Sequence, residues 1–390
     1  MVPRRGQKFL SVTLLLVEAA CVAVVSGWVG GLSRNWALLG WPGPFADVAF
    51  SGSGDSLVAA GTIGRVGIDQ SGKVFVCDSD RAIVRHVIAD EEPIFAPCLC
   101  AASSEIDDSV YVGLANGAVV RVGATHSEVS TVLRPMLPAW PFNLDVSPSG
   151  STVIAYGWDE ITVTDGLSSD VVKLNEAGIE RATCAVWSES ERFLVVGVAD
   201  KQGENGAVAI LDVGEEFSLV ANYALPDEVR SVDWNSASDR FCCAAGMVLF
   251  LFEFSGNRLT LLKQVNSSES EDVREVEFDP TGRVLASAGE DGSLRLWDAR
   301  DLQHLDTILT TDEWVTGIGF NPRDSQLAAT TSDGKIRMWD IDLQTASATP
   351  VKIGNGFDFH RGAVLISGWC VLRCIILIVR RQRKRFSLEV

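Results

Sequence analysis

The chain has 390 residues, 47% of them apolar and 22% charged, enough to hold a large core. Its net charge of −18 is uneven, because residues 1–34 carry +3 and residues 360–390 carry +6, which leaves −27 on the stretch between them. So acidic a body repels phosphate backbones, which argues against a nucleic-acid binder; the acidity either favours partner proteins with basic surfaces or serves solubility alone.

Residues 1–44 form an apolar leader, with a basic start and a run from Phe9 to Val29 interrupted by Ser11, Thr13, Glu18 and Ser26. It reads as a signal peptide with small residues for cleavage after Ala19 or Gly27, as an uncleaved anchor, or as a lead-in to the first folded unit. Glu18 weighs against a membrane helix.

From Phe45 to residue 350, short alternating strands are separated by Gly, Asn, Asp and Ser turns. The first unit runs from Phe45 through VAFSGSGDSLVAAG to KVFVCD, and the second ends in VYVGLANGAVVRV around an Asn116-Gly117 turn. The third carries FNLDVSPSGSTVIAYGWDEITVTD, with Trp158-Asp159 in its turn. A fourth, ATCAVWSESERFLVVGVADKQGENGAVAILD, has an inserted loop, and a fifth, VRSVDWNSASDRFCCAAGMVLFLFEF, turns tightly after Gly246. Then come two clear copies, VREVEFDPTGRVLASAGEDGSLRLWD and VTGIGFNPRDSQLAATTSDGKIRMWD, in which Phe278 and Phe320, Gly292 and Gly334, and Trp297 and Trp339 are each 42 residues apart.

Within the sixth unit the physics is local. Val273, Val276 and Phe278 alternate as on a half-buried strand, Asp279 to Gly282 make a turn, Val284 to Ala288 form a second strand, and Glu290-Asp291-Gly292 turns tightly into a third. One such sheet of three or four strands leaves an apolar face uncovered, so the units must stack. The turn positions 72, 117, 159, 206, 247, 292 and 334 are spaced 41 to 47 residues apart, which predicts seven units. An eighth blade from residues 1–44 is the alternative.

A period near 42 with a terminal Trp-Asp resembles the WD-repeat family. The resemblance implies an all-β fold: a seven-bladed β-propeller of four-stranded antiparallel blades over 45–350, with apolar N- and C-terminal flanking segments. It also implies structural roles for Ser287, Asp291, Trp297 and Asp298 in blade six and for Asp333, Trp339 and Asp340 in blade seven. The Gly-His that usually completes the side-chain network is missing from both copies, so apolar packing and turn geometry are expected to hold the ring.

Between the fifth and sixth units, Ser267, Ser268 and Ser270 lie in SSESED, which reads as a solvated loop or as a target of an acid-directed kinase. Asn266-Ser267-Ser268 is also a glycosylation acceptor if that side faces a lumen. Residues 351–390 hold an apolar run, 362–379, that suits a transmembrane helix, followed by the basic tail RRQRKR. Its ten Leu, Ile and Val residues favour insertion by about 3–6 kcal/mol, against about 3 kcal/mol for Arg373. A short buried helix with a basic tail is the other reading.

The nine cysteines have no zinc-site spacing and are expected to be reduced core or membrane residues. His86, His126, His304 and His360 lack partners at metal-ligand spacing, and no P-loop or nucleophile elbow is present. No catalytic, cofactor-binding or metal site is expected, and no cofactor. Function is then expected from the loops that lead into each first strand. Counting six residues back from the strand-end landmarks Val146, Trp187, Trp234, Phe278 and Phe320 gives Trp140, Arg181, Glu228, Asp272 and Trp314 as partner-binding residues, the alternative being that the tryptophans only cover the rim.

The resulting expectation is a non-enzymatic, intracellular scaffold that binds other proteins, with a cytosolic propeller tethered or not to an endomembrane through 9–29 or 362–379. A second resemblance supplies the alternative. LVAAGTIGRVGID, with Gly67-Ile68, and the apolar segment after the propeller look like the endoplasmic-reticulum exchange-factor family that acts on a small GTPase in COPII coat assembly. That would imply a small GTPase as partner, although Ala60, Thr62 and Ile63 interrupt the glycine-rich loop of that family.

Overall fold

A computed structural model describes residues 42–351, apart from 64–70, 80–83, 90–97, 105, 107, 124–128, 134–142, 158–159, 166–168, 175–178, 180, 201–203, 215–216, 269 and 343–346. The apolar segments 9–29 and 362–379 and the Trp158-Asp159 turn lie outside the described residues. Among the described residues no helix is long and apolar enough to cross a membrane.

Seven four-stranded antiparallel sheets follow one another along the chain, each with its strands in sequence order. Their first strands are Pro42–Phe50, Cys98–Ser103, Asn143–Val146, Ala182–Trp187, Val229–Asn235, Val273–Phe278 and Val315–Phe320. Each first strand packs against the first strand of the next blade, and that of blade seven packs against that of blade one. The ring is a seven-bladed β-propeller.

Strand composition follows distance from the axis. In blade six the second strand, Val284–Gly289, is buried at every position, because it lies inside its sheet with other blades on both faces. Its small residues, Ala286, Ser287 and Ala288, let the neighbouring blades approach. The outer strand, His304–Thr310, is exposed at most positions and carries His, Asp and Thr, which suits a solvated edge. Between blades five and six, Cys242, Ala244, Leu249 and Leu251 meet Val276, Phe278, Leu285 and Trp297 in one apolar cluster.

Each turn from first to second strand starts with a short polar residue: Ser51, Ser104, Ser147, Ser188, Asn235, Asp279 and Asn321, all buried. The amides of Ser51, Ser147, Asp279 and Asn321 donate to the carbonyl five residues on at 2.8–2.9 Å. Short polar side chains suit these positions because they satisfy turn amides locally. Some also reach the next blade: Asn235 Nδ2 donates to the Gly282 carbonyl at 3.0 Å.

The ring closes without exchanging strands. Blade one uses only residues up to Ala89 and blade seven only Val315 to Pro350. Closure therefore rests on Phe45, Val48, Phe50 and Phe75 packed against Ala328, Ile336 and Met338. Two hydrogen bonds add to it, from Asn321 Nδ2 to the Gly54 carbonyl (3.0 Å) and from Arg323 Nε to the Gly52 carbonyl (2.9 Å).

The loop 267–272 departs from the solvated reading of SSESED. Ser267 and Ser268 are both buried, and only Ser270 of the three serines is exposed. Trp297 Nε1 donates to Ser287 Oγ at 2.9 Å, and Ser287 Oγ lies 3.0 Å from Ser267 Oγ. Ser267 thus fills the network position that a histidine takes in the repeat pattern. Ser268 Oγ accepts the amide of Glu271 at 3.1 Å, holding the turn that brings Ser267 inward. Asp291 accepts from the Ser293 amide and from Arg295, and Asp298 from Arg300. In blade seven the position of Ser287 is Ala329, and Asp333 instead bonds Thr331 and Lys335. Trp339 is buried against Leu327, and Asp340 is exposed beside Gln326 in the ladder.

Candidate docking face and channel

The loops into the first strands converge on one face, and there four of the five expected residues fall into two groups, Arg181 with Glu228 and Asp272 with Trp314. Trp140 lies outside the described residues. Arg181 Nη2 and Glu228 Oε1 pair at 3.2 Å across blades four and five. Asp272 pairs with Arg230 at 2.8 Å, and Arg230 also reaches Glu290 at 3.5 Å. Glu290 accepts from Arg274 at 3.0 Å. The Arg274 guanidinium stands 5.8 Å from the centre of the Trp314 ring. Trp314 is 48% exposed, and Met247, 41% exposed, projects from a turn on the same face of blade five.

Arg230, Arg274 and Glu290 were not among the residues expected from sequence. The signal was there for the first two, because acid-Val-Arg occurs at 228–230 and again at 272–274. Placing the acid at the loop end and the arginine on the strand brings Arg230 beside Asp272 of the next blade, and Arg274 beside Trp314, which stands at that position in blade seven. Exposed ion pairs of this kind contribute about 0–1 kcal/mol each. Their effect is to order the face around Trp314 rather than to stabilise the ring.

A second feature lies on the axis. First-strand side chains at alternate positions point away from their own sheet toward the next blade and the channel. One residue before the strand-end landmark stand Asp145, Asp233 and Glu277, and three before it stand Asp47 and Glu275. Each accepts a backbone amide of the following blade: Asp47 from Ala101 (2.8 Å), Asp145 from Trp187 (2.8 Å), Asp233 from Phe278 (2.6 Å), Glu275 from Ile318 (2.8 Å) and Glu277 from Phe320 (3.0 Å). Blade seven has Gly317 and Gly319 at the matching positions. A Cβ at Gly317 would stand 2.8 Å from Asp47 Cα, so only glycine leaves room there.

Burial pushes these carboxyls up, against the pull of their amide hydrogen bonds. Asp47 and Asp233 rise to about 7 and Asp145 to about 6. Glu275 and Glu277 also rise well above the usual range, through burial and then through the neighbouring acids. Between pH 4 and 7 the folded ring therefore binds more protons than the unfolded chain, and stability must fall as pH rises through that window. Denaturant unfolding is expected to give lower stability at pH 7.5 than at pH 5. A stability that rises over this interval would contradict the placement of these groups.

Six of the nine cysteines are described, and all six are buried thiols. Burial holds the Cys98 and Cys184 thiols at about 12, far from thiolate chemistry. Among the described residues no three His, Cys, Asp or Glu side chains are grouped to hold a metal ion. His304 lies on an outer strand, its Nε2 2.9 Å from Thr307 Oγ1.

The family pattern described as WD40 (WD domain, G-beta repeat) matches residues 260–298 and 303–340. Each match begins in the outer strand of one blade and ends in the third strand of the next, so the sequence repeat is offset from the blade by one strand. Among curated proteins the chain is similar to the WD repeat-containing protein AAC3 of Dictyostelium discoideum. The two are 25% identical over 173 residues, 43% of this chain and 34% of that protein. It is also similar to a Periodic tryptophan protein 2 homolog of Caenorhabditis elegans, 25% identical over 119 residues, 29% of this chain and 12% of that protein. The matched part thus spans about a third and about an eighth of the length of those relatives. Among solved structures the ring superposes on the β-propeller domain of Cps50 (Swd1) from Myceliophteria thermophila. The TM-score is 0.62 at 14% identity, covering 77% of this chain and 97% of that domain, a likeness of fold.

Proposed function

Taking a seven-bladed ring with WD40 repeats across its fifth to seventh blades as the premise, we propose that the chain is a non-enzymatic scaffold. It binds a partner protein on the face where the loops into the first strands converge. The observation that carries this reading is the belt from Arg230 and Asp272 through Glu290 and Arg274 to Trp314, with the indole 48% exposed at its end. An exposed tryptophan held by an arginine and framed by ordered charges has the make-up of an interface hot spot. The acidity of the ring favours a partner with a basic surface.

Trp314→Ala is expected to weaken partner binding roughly 30-fold or more while shifting ring stability by less than about 1 kcal/mol. The check is quantitative pull-down with Leu262→Ala, on the outer strand of blade five, as control. Equal recovery by wild type and Trp314→Ala would remove the face from the account.

The remaining parts of the proposal rest on sequence. They are a cytosolic ring, tethered or not to an endomembrane by 9–29 or 362–379. Protease protection on isolated membranes, read with glycosidase sensitivity at Asn266, tests both. The exchange-factor reading rests on the loop containing Gly67 and Ile68, outside the described residues, and is not carried further.

A further inference from the structure

The channel carboxylates line a cavity of about 710 Å³ on the ring axis. Its wall includes Asp47, Asp145, Asp233, Glu275 and Glu277, and no Lys, Arg or His of the described residues is part of it. Arg274 offsets part of the charge on Glu275 from outside the wall. Glu277 is the most telling member: Oε1 accepts the Phe320 amide, while Oε2 is buried and accepts no hydrogen bond from the protein. A buried carboxylate oxygen without a donor is costly, and a cation supplied from outside would relieve it.

The cavity also has a direction. Its wall extends to Pro148, Pro280 and Pro322 in the turns from first to second strand, with Glu189 beside them. Those turns form the face opposite to Trp314. The mouth is thus a collar of rigid, weakly polar prolines above an acidic shaft. A collar of this kind admits the aliphatic stem of a long side chain and leaves its charged end to the carboxylates.

We propose that this cavity seats a cationic side chain, an ammonium or guanidinium group presented by a partner protein to the face that carries the first-to-second-strand turns. The charge pattern supports that occupant. Seven acids, with Glu189 and Asp279 toward the mouth, line one space without a base of the described residues among them, and the metal-ligand groupings that would suit an ion are not found among the described residues. The site is independent of Trp314. A ring with both faces engaged would hold two partners at once.

The test uses the full chain and thermal unfolding with acetyl-arginine amide, acetyl-citrulline amide and spermidine, each at about 10 mM. At pH 7.5 the arginine derivative is expected to raise Tm by about 1–2 °C, as for a ligand near ten times its Kd. Its neutral citrulline isostere is expected to leave Tm unchanged. The shift is expected to shrink at pH 5, to vanish in Glu277→Gln, and to persist in Trp314→Ala. Asp233→Asn provides a second cavity variant should Glu277→Gln fold poorly, and it too should lose the shift. Equal shifts with arginine and citrulline derivatives, a shift that survives both cavity variants, no shift at all, or a shift with spermidine alone would each overturn the proposal.

Discussion

Trp297→Ala is expected to lower the stability of the ring by about 3–5 kcal/mol, the range for deleting a large buried aromatic. The indole is 4% exposed and fills the space between blades five and six, against Cys242, Leu249 and Leu285. Its loss also strands two hydroxyls. Ser287 and Ser267 are both buried, and the chain Trp297 Nε1 to Ser287 Oγ to Ser267 Oγ loses its donor end. Trp297→Phe separates the two contributions, because it keeps most of the packing and removes the N–H. It should cost about 1–3 kcal/mol less than the alanine variant. Ser267→Ala in a Ser287→Ala background should be close to neutral, because its hydrogen-bond partner is already gone, while in wild type it should cost about 1 kcal/mol. Equilibrium urea unfolding of wild type, the two single serine variants and the double variant measures the cycle. A Ser267→Ala cost that is the same in both backgrounds would mean that Ser267 does not belong to the network.

Phe45→Ala is expected to have an effect of similar size, about 3–5 kcal/mol, and a different character. Phe45 is 1% exposed, its ring meets Phe75 edge-on at 5.3 Å, and the same cluster contains Ala328, Ile336 and Met338 of blade seven. No strand crosses this seam, so side-chain packing and the bonds of Asn321 and Arg323 hold the ends of the ring together. A cavity there should loosen blades one and seven before the others. Hydrogen exchange should show the amides of 42–78 and 315–342 losing protection first, while those of blade five, 229–266, keep theirs. Uniform loss around the ring would show that closure is no weaker than any other blade contact.

Blades six and seven were legible in the sequence because each carries its own punctuation: an alternating first strand, a glycine turn and a terminal Trp-Asp. Blades one and four were legible by spacing, with Cys77-Asp78 and Leu211-Asp212 in place of Trp-Asp. Ser267 was not. SSESED has the composition of solvated chain, and its first serine turns inward only because Ser268 caps the turn and a hydroxyl is waiting at Ser287. The pairing of the third and outer strands of blade six also shifts register, between Leu294 and Arg295 and between Leu296 and Trp297.

The residues of the proposed docking face were half legible. Arg181, Glu228, Asp272 and Trp314 follow from counting back along the repeats, and acid-Val-Arg at 228–230 and 272–274 marks two arginines that the count passed over. The channel acids are a different case. Asp145, Asp233 and Glu277 occupy alternate strand positions that a single sheet would expose to solvent. Only the closed ring turns those positions toward one axis, so no local pattern predicts their partial burial.

The central claim is that a partner protein sits on the face around Trp314. Hydroxyl-radical footprinting of the ring with and without its captured partner tests it most directly, because indole and thioether side chains report contact by their oxidation rates. Protection of Trp314 and Met247, with Tyr223 and Leu262 on the outer strands unchanged, is the predicted result. Protection confined to the outer strands, with Trp314 oxidised as fast as in the free ring, would contradict it.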